Sequence, residues 1–371
     1  MWALLMAVLM LLTVMGIFYL SGRIRRFYFV KKLVKGRKGA GMLAGLLVSA
    51  VLALVLKLSL GTMNAIICIL HLVIFWMISD AVFCVIQKIQ SKAFRRYYAG
   101  VAAVFFTVCY LGAGWYMAHH VWRTDYLIRT DKEVGNLRVA VLSDSHTGTT
   151  FHGDGFARHL KEIEAQNPDI LLIAGDYVDD YTSKEDMISC CKALGGMKTT
   201  YGVYYVFGNH DKGYYPPDYR GYDSTDMVNE LEKNGVHVMQ DDVELVDGRF
   251  YIIGRQDKQE EYHGGRKTMK ELTEDLDQDI YSIALDHQPQ DYAAQAEAGV
   301  DLVLSGHTHG GQLFPLMVIE NLIDITADDR VYGHERRGNT DFIVTSGISD
   351  WAIKFKTGCK SEYLIVDIRG K

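Results

Sequence analysis

The chain has 371 residues, a length that suits two domains, and its net charge of −6 is unevenly divided. Residues 1–120 hold 13 Lys or Arg and one acid, Asp80, whereas residues 121–371 hold 26 basic and 44 acidic residues, a net charge of −18. So acidic a second part argues against nucleic-acid binding, which rests on basic surface. The six cysteines include an adjacent pair, Cys190 and Cys191, and no CxxC spacing, so neither a disulfide framework nor a zinc ribbon is expected.

Four apolar runs open the chain: Trp2–Leu20, Gly39–Leu60, Met63–Ile86 and Tyr97–His119. Each is long enough to cross a bilayer, and the first lacks the basic start of a cleaved signal. Arg23, Arg25, Arg26, Lys31, Lys32, Lys35, Arg37 and Lys38 separate the first two runs, and Lys88, Lys92, Arg95 and Arg96 separate the last two. The positive-inside rule places both basic loops in the cytoplasm and everything after His120 outside. His71 and Asp80 fall inside the third run, nine positions apart and so on roughly opposite helix faces; pairing within the bundle is the expected role. Gly41 and Gly45 would let two helices approach closely. Anchoring is the leading reading for residues 1–120, and residues 121–135 read as a polar linker.

From residue 136 the pattern changes. Leu137–Leu142 reads as a buried strand and ends in Ser143-Asp144-Ser145-His146, and Phe156, Leu160 and Ile163 then keep helical spacing. Asp169–Ala174 is a second strand, running into Gly175-Asp176-Tyr177-Val178-Asp179. A helical stretch at Lys184–Leu194 precedes the strand Val203–Phe207, which ends in Gly208-Asn209-His210-Asp211. Tyr281–Leu285 leads to Asp286-His287, and Val300–Leu304 to Gly306-His307-Thr308-His309-Gly310-Gly311-Gln312. Phe342–Thr345 and Tyr363–Val366 are later strands. Helices between strands give an α/β fold, whose ligand sites lie at the carboxyl ends of strands. Carboxylate, amide and imidazole side chains at five such ends are oxygen and nitrogen donors for hard or borderline metal ions.

This ordered set resembles the calcineurin-like metallophosphoesterase superfamily over about residues 136–368. The Gly-His-Thr-His-Gly-Gly-Gln detail, with Asn167-Pro168-Asp169 before the second strand, is most similar to its bacterial membrane-associated branch, which includes enzymes similar to UDP-diacylglucosamine pyrophosphohydrolases. The resemblance implies two mixed β-sheets packed face to face and flanked by helices, here behind a four-helix transmembrane region. It also implies two divalent ions, Mn, Fe or Zn. Asp144, His146 and His309 would bind the first, Asn209, His287 and His307 the second, and Asp176 both. His210 would serve the leaving group, with Asp211 orienting it. The branch often has an arginine after its late glycine motif; here Ser346-Gly347-Ile348 is followed by Ile353-Lys354-Phe355, which passes a phosphate contact to Lys354. The expected activity is hydrolysis of a phosphodiester or pyrophosphate by a metal-bridging hydroxide. A lipid-linked substrate is expected, contacted by Tyr214 and Tyr215. The alternatives are a catalytically silent metal-binding sensor, or a transporter or channel regulated by the outer domain.

Overall fold

The computed structural model describes residues 2–91, 94, 96–315, 318 and 327–371, apart from the side chains of residues 2–5 and 263. Lys92 and Arg95, which enter the loop-charge reading, lie outside the described residues. The chain divides into two compact units, Met1–Gly114 and Trp115–Lys371.

The first unit contains α1 (Trp2–Ile24), α2 (Tyr28–Leu33), α3 (Lys38–Leu60) and α4 (Thr62–Gln90), and most of α5 (Tyr98–His119). Four of these, all but the short α2, are long and apolar enough to cross a membrane. Their surfaces are apolar too: Leu11, Leu58 and Val108 are 60, 78 and 66% exposed. Hydrocarbon would cover such side chains at no cost, whereas water would not. Gly45 marks a close approach, because a Cβ there would strike the Ser21 carbonyl of α1. Asp80 is paired within the unit, with its carboxylate 3.0 Å from Arg23 Nε and accepting from Tyr97 Oη at 2.7 Å. His71 is satisfied by its own helix, Nδ1 lying 2.8 Å from the Ile67 carbonyl.

The second unit takes in the end of α5 and then β1 (Val121–Arg129), where a linker was expected. Its nine residues pair in parallel with the last strand, from Val121 opposite Ser361 to Arg129 opposite Arg369. Only His120 separates α5 from β1. The strand was hidden because it is an edge, where charged residues such as Arg123 and Asp125 are tolerated.

There follow β2 (Asn136–Leu142), α6 (Gly153–Glu164), β3 (Ile170–Ala174), α7 (Lys184–Gly195), β4 (Val203–Val206), α8 (Ser224–Lys233) and β5 (Val236–Met239). The chain continues through β6 (Asp242–Val246), β7 (Phe250–Gly254), α9 (Met269–Thr273), β8 (Tyr281–Leu285), α10 (Tyr292–Glu297) and β9 (Leu302–Ser305). It closes with β10 (Gly333–Arg337), β11 (Thr340–Val344) and β12 (Ser361–Arg369).

Two six-stranded mixed sheets result, in the orders β1-β12-β2-β3-β4-β5 and β10-β11-β9-β8-β7-β6. Alternation along the strands assigns their faces. Leu137, Val139 and Val141 of β2 join Ile283, Leu285, Leu302 and Leu304 in the core between the sheets. Ala140 and Leu142 face the other way, onto Phe156 and Leu160 of α6 and Met187 of α7. On the far face of the second sheet, Ala284 and Val303 pack with Leu272 and Tyr292. Strands β2, β3 and β4 run parallel, as do β8 and β9. Each set therefore presents its carboxyl ends on one side.

Candidate metal centre

All seven expected ligands follow those carboxyl ends. Asp144 and His146 come after β2, Asp176 after β3, Asn209 after β4, His287 after β8, and His307 and His309 after β9. The strand ends turn sharply. Asp144, His146, Asp176, His307 and His309 have φ of 55, 33, 50, 73 and 49°, the left-handed region that side chains avoid. Such strain gathers at functional sites and persists because surrounding packing fixes it. Glycine is required beside it: a Cβ on Gly208 would strike Asp176, and one on Gly306 would strike Ser143 and Asp144.

Two groups of donors emerge among the described residues. Asp144, His146 and His309 each offer a ligand atom within 4.8 Å of the others, as do Asp176, His287 and His307. Asp176 lies between the groups, its Oδ2 3.5 Å from His146 Nε2 and 3.2 Å from His287 Nε2. Asn209 joins the second group, with Oδ1 2.8 Å from His307 Nδ1. Asp144, His146, Asp176 and His287 are buried.

The donor chemistry fits a cation. His287 Nδ1 lies 2.7 Å from the Ala174 carbonyl, so the neutral ring carries its proton there and leaves the Nε2 lone pair for a metal. Among the described residues the buried His287 Nε2 has no hydrogen-bond partner, and neither has either nitrogen of His146. Buried polar atoms are seldom left so, and a metal ion satisfies them.

Two carboxylates not singled out by the sequence stand behind the first group. Asp179 Oδ2 lies 3.4 Å from His146 Nδ1, and Asp350 Oδ1 lies 3.7 Å from His309 Nδ1. Asp350 is also 3.4 Å from Nζ of Lys356, a fully buried lysine that donates to the Ser346 and Ser349 carbonyls at 2.6 and 3.1 Å. Carboxylates behind ligand histidines fix ring orientation and raise basicity.

The ionisation of the metal-free residues reflects this arrangement. Burial lowers the His146 pKa, but the Asp179 contact and the charges of Asp176 and Asp144 outweigh it and take His146 to about 9. Burial likewise opposes His287, yet Asp176 holds it well above its ordinary value. Burial opposes the ionised form of Asp176, but His287 and His210 pull its pKa well below the usual carboxylate range. Burial takes His307 down to about 3 and His210 down to about 4.

The remaining expected residues separate. His210 is at the site, its ring centroid 5.1 Å from that of His146 and 4.9 Å from that of Trp351, and its Nδ1 has no hydrogen-bond partner among the described residues. Asp211 is not spent on orienting it. The Asp211 carboxylate accepts from the backbone N–H groups of Asp176, Val178 and Gly208 at 2.9, 2.9 and 2.7 Å, stitching two ligand loops together. Tyr214 is also at the site, its ring 5.1 Å from His210 and its hydroxyl accepting from Asn209 Nδ2 at 2.9 Å. Tyr215 instead turns onto Tyr219, 5.0 Å away, in an exposed group with Tyr181. Lys354 lies within electrostatic reach of His119. The lysine that closes around the first donor group is Lys356. Nothing in the sequence marks Lys356, Asp350 or Trp351, because their roles arise only when the loop after β11 folds back. Asp179, three residues past Asp176 at a strand end, did carry a positional signal.

The comparisons with known proteins agree with this geometry. The family model described as calcineurin-like phosphoesterase matches residues 137–311. An uncharacterised metallophosphoesterase of Campylobacter jejuni is 29% identical over 257 residues, covering 67% of this chain and 64% of that protein. One from Helicobacter pylori is 30% identical over 249 residues, covering 64% and 60%. A transmembrane protein with metallophosphoesterase domain from Danio rerio is 30% identical over 241 residues, covering 62% and 53%. The chain thus spans between about half and two thirds of the length of these relatives. With its ordered ligand motifs, its paired donor groups and its two-sheet core, the segment that carries the site belongs to the calcineurin-like phosphoesterase superfamily.

Proposed function

We propose that this chain is a membrane-anchored, two-metal-dependent phosphoesterase acting on phosphodiester or pyrophosphate bonds. The observation that carries the reading is the pair of buried donor groups meeting at Asp176. Asp144, His146 and His309 would hold one divalent ion, His287, His307 and Asn209 the other, and Asp176 would serve both. Such ions neutralise phosphoryl oxygens and lower the pKa of a bound water to near neutrality. The protein's own part is positioning. Asp211 locks the Asp176 and Asn209 loops in register, and Gly208 and Gly306 allow the close approach. His210, with its pKa lowered to about 4, is neutral at pH 7 and offers an N–H to a phosphoryl or leaving-group oxygen.

The narrower substrate class is part of the same proposal. Tyr214 stands beside His210 at the rim of the site, and the exposed rings of Tyr215, Tyr219 and Tyr181 extend from it. Tyrosine suits a boundary between apolar and wet surroundings. An anchor joined to the sheet through one residue raises the effective concentration towards membrane-bound targets. A lipid-linked phosphate or pyrophosphate therefore fits best, with a catalytic unit outside the cytoplasm as the loop charges indicate.

The test uses the purified full chain with Mn, Fe or Zn and bis(4-nitrophenyl) phosphate, against 4-nitrophenyl phosphate as the monoester. Metal-dependent turnover of the diester is expected, and its absence with every metal would leave the sensor reading. For the lipid link, the full chain in vesicles is compared on a phospholipid-type diester and a soluble nucleotide diester. Tyr214→Ser with Tyr215→Ser should lower the lipid-to-soluble rate ratio, and an unchanged ratio sinks the lipid substrate. A cysteine at exposed Lys184, in a background without the six native cysteines, should react with a membrane-impermeant maleimide in intact cells. Labelling only after lysis would reverse the orientation.

A further inference from the structure

The first unit carries a cavity of about 570 Å³, away from the metal centre in sequence, whose lining includes Arg23, Arg26 and Arg96. Its other lining includes the rings of Phe83, Phe94 and Tyr98. The cavity lining therefore combines cationic and apolar side chains. Two of its basic groups, Arg23 and Arg26, are held in place. Arg23 stacks over Tyr19 at 4.7 Å and pairs with Asp80 at 3.0 Å. Arg26 stacks over Tyr97 at 5.5 Å and stands 4.0 Å from the same Asp80 carboxylate. Tyr97 is itself fixed by donating to Asp80 at 2.7 Å and accepting from Trp76 Nε1 at 2.8 Å.

The charge count decides what this cavity takes. Asp80 is the single acid in residues 1–120, against 13 basic residues. One carboxylate against three arginines leaves the lining net cationic, which favours an anionic ligand. Guanidinium groups match phosphate oxygens as paired donors. A volume of about 570 Å³ falls in the range of sites that enclose a whole ligand, and greatly exceeds the needs of a lone phosphate ion. The aromatic wall and the apolar helices around it suit an acyl-glycerol portion. Basic pockets between membrane helices recognise lipid headgroups by these means.

We propose that this cavity binds a membrane lipid with an anionic phosphate headgroup, Arg23, Arg26 and Arg96 holding the phosphate and Phe83 and Tyr98 flanking the glycerol and upper chains. The proposal rests on the membrane-spanning reading of the four helices and is independent of the reaction at the metal centre.

Native mass spectrometry of the full chain, titrated with phosphatidylglycerol or phosphatidylcholine in detergent, tests it. The wild type should retain phosphatidylglycerol preferentially. Arg26→Gln with Arg96→Gln preserves the Arg23–Asp80 pair and should weaken phosphatidylglycerol binding by roughly ten- to thirtyfold, as expected for two basic groups at an anionic lipid. The charge-preserving pair Arg26→Lys with Arg96→Lys should recover most of that loss. Lys57→Gln, on α3 and outside the cavity lining, should change binding less than about twofold. Equal retention of both lipids, unchanged binding in the double glutamine variant, or equal losses in the glutamine and lysine variants would each overturn the proposal. Displacement of the lipid by millimolar glycerol 1-phosphate would overturn the lipid as the source of the phosphate.

Discussion

The two donor groups of the metal centre are built to different plans. Behind the first stand ionisable carboxylates, Asp179 at His146 and Asp350 at His309. Behind the second, the neutral Ala174 carbonyl stands at His287, and Asn209, itself a neutral donor of that group, lies 2.8 Å from His307. Asp176 lies between the groups, within 3.5 Å of His146 and 3.2 Å of His287, but Asp144 belongs to the first alone. Lys356, 3.4 Å from Asp350, offsets that carboxylate, but Asp144 and Asp179 still make the first half the more anionic, and an ion bound there feels more negative charge in a buried, low-dielectric place. The lesson is that paired sites of similar ligand type need not hold their ions equally.

The most damaging change removes what the halves share. Asp176→Asn turns the common carboxylate into an amide, and it is expected to lower bound metal in both groups and reduce diester hydrolysis to background. Elemental analysis of the purified variant, alongside turnover, checks this. Full metal content with activity lost would confine Asp176 to a role in the reaction.

Next in size is His210→Ala. His210 touches both halves electrostatically yet belongs to neither donor group. Both ions should remain, while diesters with poor leaving groups slow by about 10²–10⁴-fold and aryl diesters by less. Metal loss in this variant would make His210 a ligand.

The comparison itself predicts an order of release. Titrating a chelator against the fully loaded protein should remove the ion of the second group first. Asn209→Ala should then leave about one ion per chain, whereas simultaneous loss of both ions would contradict unequal halves. Asp179→Asn keeps the side-chain oxygen that accepts from Tyr181 N and replaces the one facing His146. It should weaken the first ion by about 10–100-fold, the usual effect of disturbing a group behind a ligand histidine. A purely structural Asp179 would lower the melting temperature and leave metal affinity alone.

The donor residues were legible because each sits at the end of an apolar run, and a strand end is a place the sequence marks. Asp144, His146, Asp176, Asn209, His287, His307 and His309 therefore converge as read. The groups behind them were not legible, since Asp350 meets His309 only through the fold of the loop after β11. β1 was missed for the opposite reason, as an edge strand with alternating exposed polar residues looks like a linker. The four long apolar helices were plain from length and composition, while the short α2 was not. Tyr214 and Tyr215 show the limit most directly. Adjacent residues of the same type take different positions, one beside His210 and one against Tyr219.

The smallest expected effect separates the halves by their protons. In the metal-free protein His146 has a pKa of about 9, and His287 is held well above its ordinary value. Both pKa values are raised above the unfolded 6.5, so both imidazolium groups stabilise the metal-free fold fully below about pH 6.5. That contribution fades as pH rises, for His146 through about 9. Asp176 and Asp179 are shifted down, so their contribution is present above about pH 4 and lost as acid protonates them. At pH 7.5 both histidines are therefore protonated before metal arrives. Metal ligation requires the neutral ring, so loading must release a proton from each half. Calorimetry in two buffers of different ionisation enthalpy reads the number released. Asp179→Asn removes a charge that sustains the His146 proton, so less proton release is expected from the first half at saturating metal. The His287 proton depends chiefly on Asp176 and should still be released. Unchanged release in Asp179→Asn would show that Asp144 and Asp176 hold the His146 proton without it, and the two halves would then differ in geometry but not in acid–base character.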